Sequence, residues 1–352
     1  MKTKRDIYCE YNFWEAFFIL ESKIIHNRSK RRLWDAFYEF LSNNNLFFDV
    51  HPQKVNNLTP GGSNLNELMR KKGGAGIKFI PNNFPKIDGI SDKDDNLLNS
   101  VFLTLKETSV CKQLSERFGI IVFNLELIFS ANHVFFDNGI TLSNTNGQNW
   151  SFLWALKEKY PSICCCNSLI VADRYLLEEK ENIIDANLRP IFDSLLPQQL
   201  ENGIKFTIYI VAENKCSNIN DKLSELKNLI HELRPNLCFS ISIFHSWILH
   251  DRSILTNNII LTSGVGFDVI DMDEKARRFT TTSLRFPFLQ YDAKDNCAYL
   301  DWINNVFEVE KRCRSFNSNY WGERTHRHHL LDCYCEKPER QRFPPSFRVR
   351  FS

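Results

Sequence analysis

His250, Asp251 and Arg252 stand in a row at the start of the stretch Leu249–Asp271, LHDRSILTNNIILTSGVGFDVID. An imidazole can attack phosphorus or carry a proton. A guanidinium two residues on can grip a phosphate through paired N–H donors. Asn257 continues the pattern; it keeps hydrogen bonding but lacks the carboxylate charge that steadies an imidazolium. Asp251 is a poor substitute, because adjacent residues of a strand point to opposite faces. Ser263-Gly264-Val265-Gly266 is a small-residue turn whose backbone N–H groups could face an anion. Asp173-Arg174-Tyr175 follows a predicted strand, where sheets of this kind open their clefts. The expected phosphate-binding set is therefore Arg252, Asn257, Ser263, Gly264 and Asp173, with His250 as the catalytic residue if the site is active. A bland alternative pairs Arg252 internally with Asp173 or Asp268.

Three other groups of residues carry weaker signals. Glu10, Asp49, Glu126 and Asp137 lie near predicted strand ends, where clustered carboxylates can hold a metal for phosphodiester hydrolysis. The strand at 120–123 instead ends in Asn124, so no metal or other cofactor is expected. His326, His328, His329, Cys333 and Cys335 are types that ligate zinc, but without its usual paired spacings. Gly73-Gly74-Ala75-Gly76 lacks the spacing of a phosphate loop and reads as a plain turn.

The chain has 352 residues, 43% hydrophobic and 24% charged, with a net charge of +2. This is a globular composition with no overall polycationic character. Residues 311–352 differ: ten basic against four acidic residues give +6. Arg312, Arg314, Arg324, Arg327, Arg340 and Arg342, interleaved with aromatics, are the candidate nucleic-acid contacts. The 11 cysteines form no C-x-x-C pair, and the N-terminal stretch has no leader pattern. These features point to reduced thiols in a cytoplasm. No apolar run approaches the ~20 residues that span a bilayer.

Stepwise periodicity predicts an α/β fold. Strand candidates are Ile7–Cys9, Phe47–Val50, Ile120–Phe123, Ser168–Val171, Phe206–Val211, Leu237–Ile243 and Ile259–Leu261. Helical spacing covers Phe13–Ile25, Leu33–Leu41, Lys112–Phe118, Leu188–Leu196 and Asp221–Leu233. Residues 56–100 read as loop-rich, with Pro60-Gly61-Gly62 as turn punctuation. The expected division is an α/β domain over 1–150, a second over 160–310 and a basic aromatic tail over 311–352.

His250-x-Arg252-x-x-x-x-Asn257 has the spacing of the HxKxxxxD motif of the phospholipase D superfamily, with Arg for Lys and Asn for Asp. The wider HDRxIxxNxxxIxxGxGxD pattern resembles the phospholipase D-like domain at the C-terminus of the MIT-domain abscission protein, and its bacterial relatives. The likeness is specific over about 20 residues, loose over about 150 and absent from the N-terminal half. It implies a phospholipase D-like lobe for 160–310 and recognition of a phosphodiester. Active members use two histidines, and single-motif enzymes dimerise to obtain them; this chain carries one copy. Three functions follow as expectations. The first is a nucleic-acid-binding subunit with a degenerate site, in a prokaryotic anti-phage assembly with partner proteins or a second copy. The second is a dimeric nuclease using His250, and the third an acidic-lipid binder. Glu10 at the end of the first strand resembles the PIN-like nucleases, which place a metal-binding carboxylate there.

Overall fold

The computed structural model describes residues 4–130, 140–143, 164–174, 176–177, 184–213, 218–245, 252–263, 281–285, 293–315, 319–323 and 327–334. It is an α/β fold built on two sheets.

The first sheet is parallel throughout, in the order β3-β2-β1-β4-β5. Its strands are β1 (Asp6–Cys9), β2 (Asn45–Phe48), β3 (Ile77–Phe79), β4 (Val101–Leu103) and β5 (Ile121–Phe123). Helices α1 (Tyr11–Ile24), α2 (Arg28–Asn43), α3 (Pro60–Lys71), α4 (Asp95–Leu98), α5 (Thr108–Phe118) and α6 (Leu125–Ser130) connect or flank them. Phe13, Phe17, Phe37 and Trp34 are buried on the facing sides of α1 and α2, with Phe17 stacked on Trp34 at 4.8 Å. This is where much of the heavy phenylalanine usage goes.

Pro60-Gly61-Gly62 opens α3 instead of making a free turn. Thr59 caps the helix, its hydroxyl accepting from Gly62 N–H at 3.2 Å. Proline fits the first helical turn because its missing N–H would have no partner there. Gly61 is needed for close approach: a Cβ there would meet Glu15 at 2.7–2.9 Å. Trp14 also donates to its carbonyl at 2.8 Å.

The second sheet has the order β13-β9-β8-β7-β10-β11-β12-β6. Its strands are β6 (Ile140–Ser143), β7 (Ser168–Ala172), β8 (Phe206–Ala212), β9 (Phe239–His245), β10 (Arg252–Thr256), β11 (Ile260–Ser263), β12 (Thr281–Arg285) and β13 (Tyr320–Trp321). Strands β7, β8 and β9 are parallel, while β10 runs antiparallel to β7. Helices α7 (Arg189–Leu195) and α8 (Ile219–Leu233) cross between the parallel strands. Then come α9 (Ala293–Ser315) and α10 (His329–Tyr334). The order strand, helix, strand, helix, strand, strand, strand from β7 to β11 is the one the periodicity predicts.

Two boundaries differ from expectation. Strand β6 falls within 1–150 but pairs with β12 of the second sheet. Residues 311–334 are not a free tail. They end α9, add β13 to the sheet edge and dock α10 against α4, where Asn99 donates to His329 O at 2.9 Å. Their sequence is polar and basic, but Leu330, Leu331 and Cys333 are buried, which composition over the whole segment conceals.

One apolar cluster runs through both sheets, from Ile7, Val101 and Ile121 to Leu169, Ile208 and Ile241. A second cluster lies on the opposite face of the second sheet, under α9 and α10. Asparagines close the seam between the sheets. Asn167 donates to Leu98 O (2.8 Å) and Gly119 O (3.0 Å). Arg5 donates to Asn258 Oδ1 at 2.6 Å, and Asn258 to Cys165 O at 2.6 Å. Gly119 ends α5 at φ +63°, pressed so close that a Cβ would meet Cys166 O at 2.5 Å. That close approach and the left-handed φ both require glycine.

His329 pins the C-terminal helix to this seam. Its ring is buried and bonded to Asp95 Oδ1 (2.8 Å) and Lys205 O (2.9 Å), with Asp92 Oδ1 at 3.3 Å. Burial disfavours the charge, but the bonds to Asp92 and Asp95 outweigh it and lift the pKa from 6.5 to about 9. A group whose pKa is raised on folding stabilises fully below its unfolded value and ceases to do so above its folded one. The melting temperature of the protein is thus expected to fall as pH rises through about 9. The His329→Gln variant should lack that component of the fall. Parallel melting curves between pH 6 and 10 check this; identical slopes in the two proteins would refute it.

Candidate functional site at the carboxyl edge of the mixed sheet

Arg252 begins β10, and Asp173 directly follows β7. Because Ser253 pairs with Ala172, the next residues outward, Arg252 and Asp173, sit side by side, with Arg252 Nε 3.7 Å from Asp173 Oδ1. The row continues across the sheet. Asp173 N–H donates to Val211 O at 3.0 Å, which sets it beside Ala212, and Ala212 pairs with His245. Residues level on neighbouring strands point to one face. Arg252, Asp173, Ala212 and His245 therefore form one cross-strand row, with the smallest side chain between the charged pair and the imidazole. Three strand spacings make the row about 14 Å long.

This row lies where the parallel strands β7–β9 end and the antiparallel β10 begins, and ligands of α/β sheets collect at the carboxyl ends of strands. Asp173 is buried, and the Arg252 side chain is 18% exposed. Alongside, Arg174 forms a two-pronged ion pair with Glu213, one contact at 3.2 Å. Ser263 pairs with Arg252 in the ladder, so the chain leading into the small-residue turn starts at the same edge. His250 and Gly264 lie outside the described residues.

His245 was not singled out from sequence. Its ring is buried and packed against Trp321, centroids 4.3 Å apart. Burial pushes its pKa down to about 4, so the ring is neutral at pH 7. Neither ring nitrogen has a hydrogen-bond partner among the described residues. The only sequence signal was its place as the last residue of a β-prone run.

Asn257 is a correction. It follows the far end of β10, about 17 Å along the strand from Arg252. Fully buried, it donates to Leu98 O (3.3 Å) and Gly119 O (3.1 Å) and accepts from Asn167 N–H (3.2 Å). Its amide belongs to the seam, leaving no capacity to meet a phosphate. The motif's spacing was legible, but its last member does different work.

The basic residues divide similarly. Arg312 is exposed on α9. Arg314 is drawn inward, bonded to Glu310 (2.9 Å) and to Tyr209 Oη (3.1 Å), with Tyr209 donating to Glu310 at 2.7 Å. Arg327 pairs with Asp95 and, at 3.0 Å, with Asp332. Arg314 and Arg327 thus brace the fold, because their charges are met by carboxylates. Arg324, Arg340 and Arg342 lie outside the described residues.

The carboxylates at the ends of the first sheet's strands are engaged locally. Glu10 accepts from the Thr104 hydroxyl (2.8 Å) and Leu105 N–H (3.1 Å), Asp49 from Tyr11 N–H (2.7 Å), and Glu126 from the Thr108 hydroxyl. Asp137 lies outside the described residues. His328 packs on Tyr209, and Cys333 faces Asn96, while His329 is held by its aspartates. His326 and Cys335 are outside the described residues. Among the described residues no group of three or more His, Cys, Asp or Glu side chains is placed to hold a metal.

No family model matches the chain, and no curated protein matches it. Among solved structures, it is similar to TrmBL2, an archaeal chromatin protein described as showing a novel mode of DNA binding. The two are 12% identical over 48% of this chain, with a TM-score of 0.25. The match spans about half of that chain, 52%.

Proposed function

We propose that this chain binds a phosphodiester, as part of a single nucleic-acid strand, along the carboxyl edge of the mixed sheet and does not cleave it. The observation that carries this reading is the placement of Arg252 at the strand-direction switch, with Asn257 committed to the seam. A guanidinium has five N–H donors, enough to face Asp173 and a phosphate together. With Asn257 at the opposite end of β10, no acidic or amide partner from that position backs an imidazole at this edge. Exposed Arg312 adds charge that a backbone phosphate can use. The resemblance of Leu249–Asp271 to the phospholipase D-like domains supports the same ligand class, and their bacterial relatives support a place in a prokaryotic defence assembly with partner subunits. Among the described residues no helix is long and apolar enough to cross a membrane.

Fluorescence anisotropy with a labelled single-stranded oligonucleotide tests the proposal. Affinity is expected to fall with salt, at a log–log slope of about −0.7 per phosphate contact. The strand should be recovered intact after incubation with EDTA and, separately, with Mg²⁺. Cleavage in EDTA that disappears in His250→Ala would replace this reading with a phosphodiesterase.

A further inference from the structure

We infer that His245 and Trp321 form a nucleobase subsite, about 14 Å along the edge from the phosphate-gripping Arg252. The inference rests on the phosphodiester reading and specifies which part of the ligand reaches the far end of the row.

A buried polar group without a hydrogen bond costs stability, and native proteins rarely leave one. His245 leaves two, on a ring held in place by everything around it. Its backbone N–H donates to Asn319 O at 3.1 Å, and its carbonyl accepts from Cys313 Sγ at 3.3 Å. Trp321 packs against the ring, and its strand is fixed by the pairing of Trp321 with Ile243 and of Tyr320 with Phe244. The imidazole is thus positioned with its donor and its acceptor unspent.

The chemistry of the missing partner follows from charge. A ring kept neutral by burial exerts no net attraction on a phosphate. It offers one N–H and one lone pair, which match a neutral group that both accepts and donates. The edge of a nucleobase is such a group. Trp321 is half-buried, and indole faces are stacking platforms for bases of any sequence. Ala212, between His245 and the Arg252–Asp173 pair, leaves room on the row for a sugar-phosphate link. A lipid headgroup would bring charge without such an edge.

The test compares a single-stranded oligonucleotide with an abasic strand of equal length. The wild-type protein should bind the base-bearing strand more tightly. His245→Phe keeps the ring and its packing but removes both nitrogens. It is expected to melt at or above the wild-type temperature and to lose about three- to tenfold in affinity for the base-bearing strand, with abasic binding unchanged. His245→Gln, which restores a donor and an acceptor, should recover part of the difference. A His245→Phe protein that keeps the full preference for bases overturns the subsite. So does one that melts well below wild type, since the nitrogens would then have structural partners. Equal wild-type binding of both strands removes the subsite but leaves the phosphodiester reading standing. If wild type binds neither strand, or binds only vesicles of phosphatidylserine, both fall.

Discussion

Asn257→Asp is expected to destabilise the protein by about 3–5 kcal/mol and to create no phosphodiesterase. The substitution restores the carboxylate of the superfamily motif, so a reading of spacing alone expects a gain of catalysis. The structure expects the reverse. Asn257 is fully buried, and its Nδ2 faces the carbonyls of Leu98 and Gly119. A carboxylate has no donor for either, and would set charge against two oxygen dipoles away from water. It must either take up a proton or open the seam. Urea unfolding with two-state analysis measures the cost. A midpoint equal to wild type, or new hydrolysis of an oligonucleotide, would mean that Asn257 belongs to a site after all.

The second large effect concerns the Arg252–Asp173 pair, whose members are expected to act in opposite directions. Losing Arg252 should weaken oligonucleotide binding about 10- to 100-fold, the worth of one or two charge-assisted hydrogen bonds. Arg252→Met alone would also strand the buried Asp173 carboxylate, and breaking a buried pair from one side is costly. The double variant Arg252→Met/Asp173→Asn removes the charges together and should melt close to wild type. Asp173→Asn alone frees the guanidinium from its competitor. At about 1 kcal/mol for a pair 4 Å apart in water, it should tighten binding about fivefold. Anisotropy titrations with the three variants check this. If the pair is only a brace, stability changes and affinity does not.

Much of the scaffold was legible because its signals are local. Buried strand runs such as Phe206–Ala212 and the apolar stripe of α8 follow from residue type and period alone. The adjacency of Arg252 and Asp173 was also within reach, since a strand start and a strand end in one α/β unit meet at one edge. Other features depend on partners distant in sequence. Pro60-Gly61-Gly62 reads as a turn until Thr59 and the close approach of α1 are seen. Asn257 reads as a motif member until Asn167, Leu98 and Gly119 surround it, between 90 and 159 residues away. The basic segment 311–334 reads as a tail because each charge is visible and its carboxylate partner is not. His245 gave no signal because an unpartnered nitrogen is a property of the packed structure.

The most direct test of strand binding at this edge is photocrosslinking of a 5-iodouracil-substituted single strand, followed by peptide mapping. Adducts are predicted on Trp321 and on peptides carrying His245 and Arg252, and they should vanish in the Arg252→Met/Asp173→Asn variant. Adducts confined to residues 335–352, or unchanged in that variant, would contradict the account.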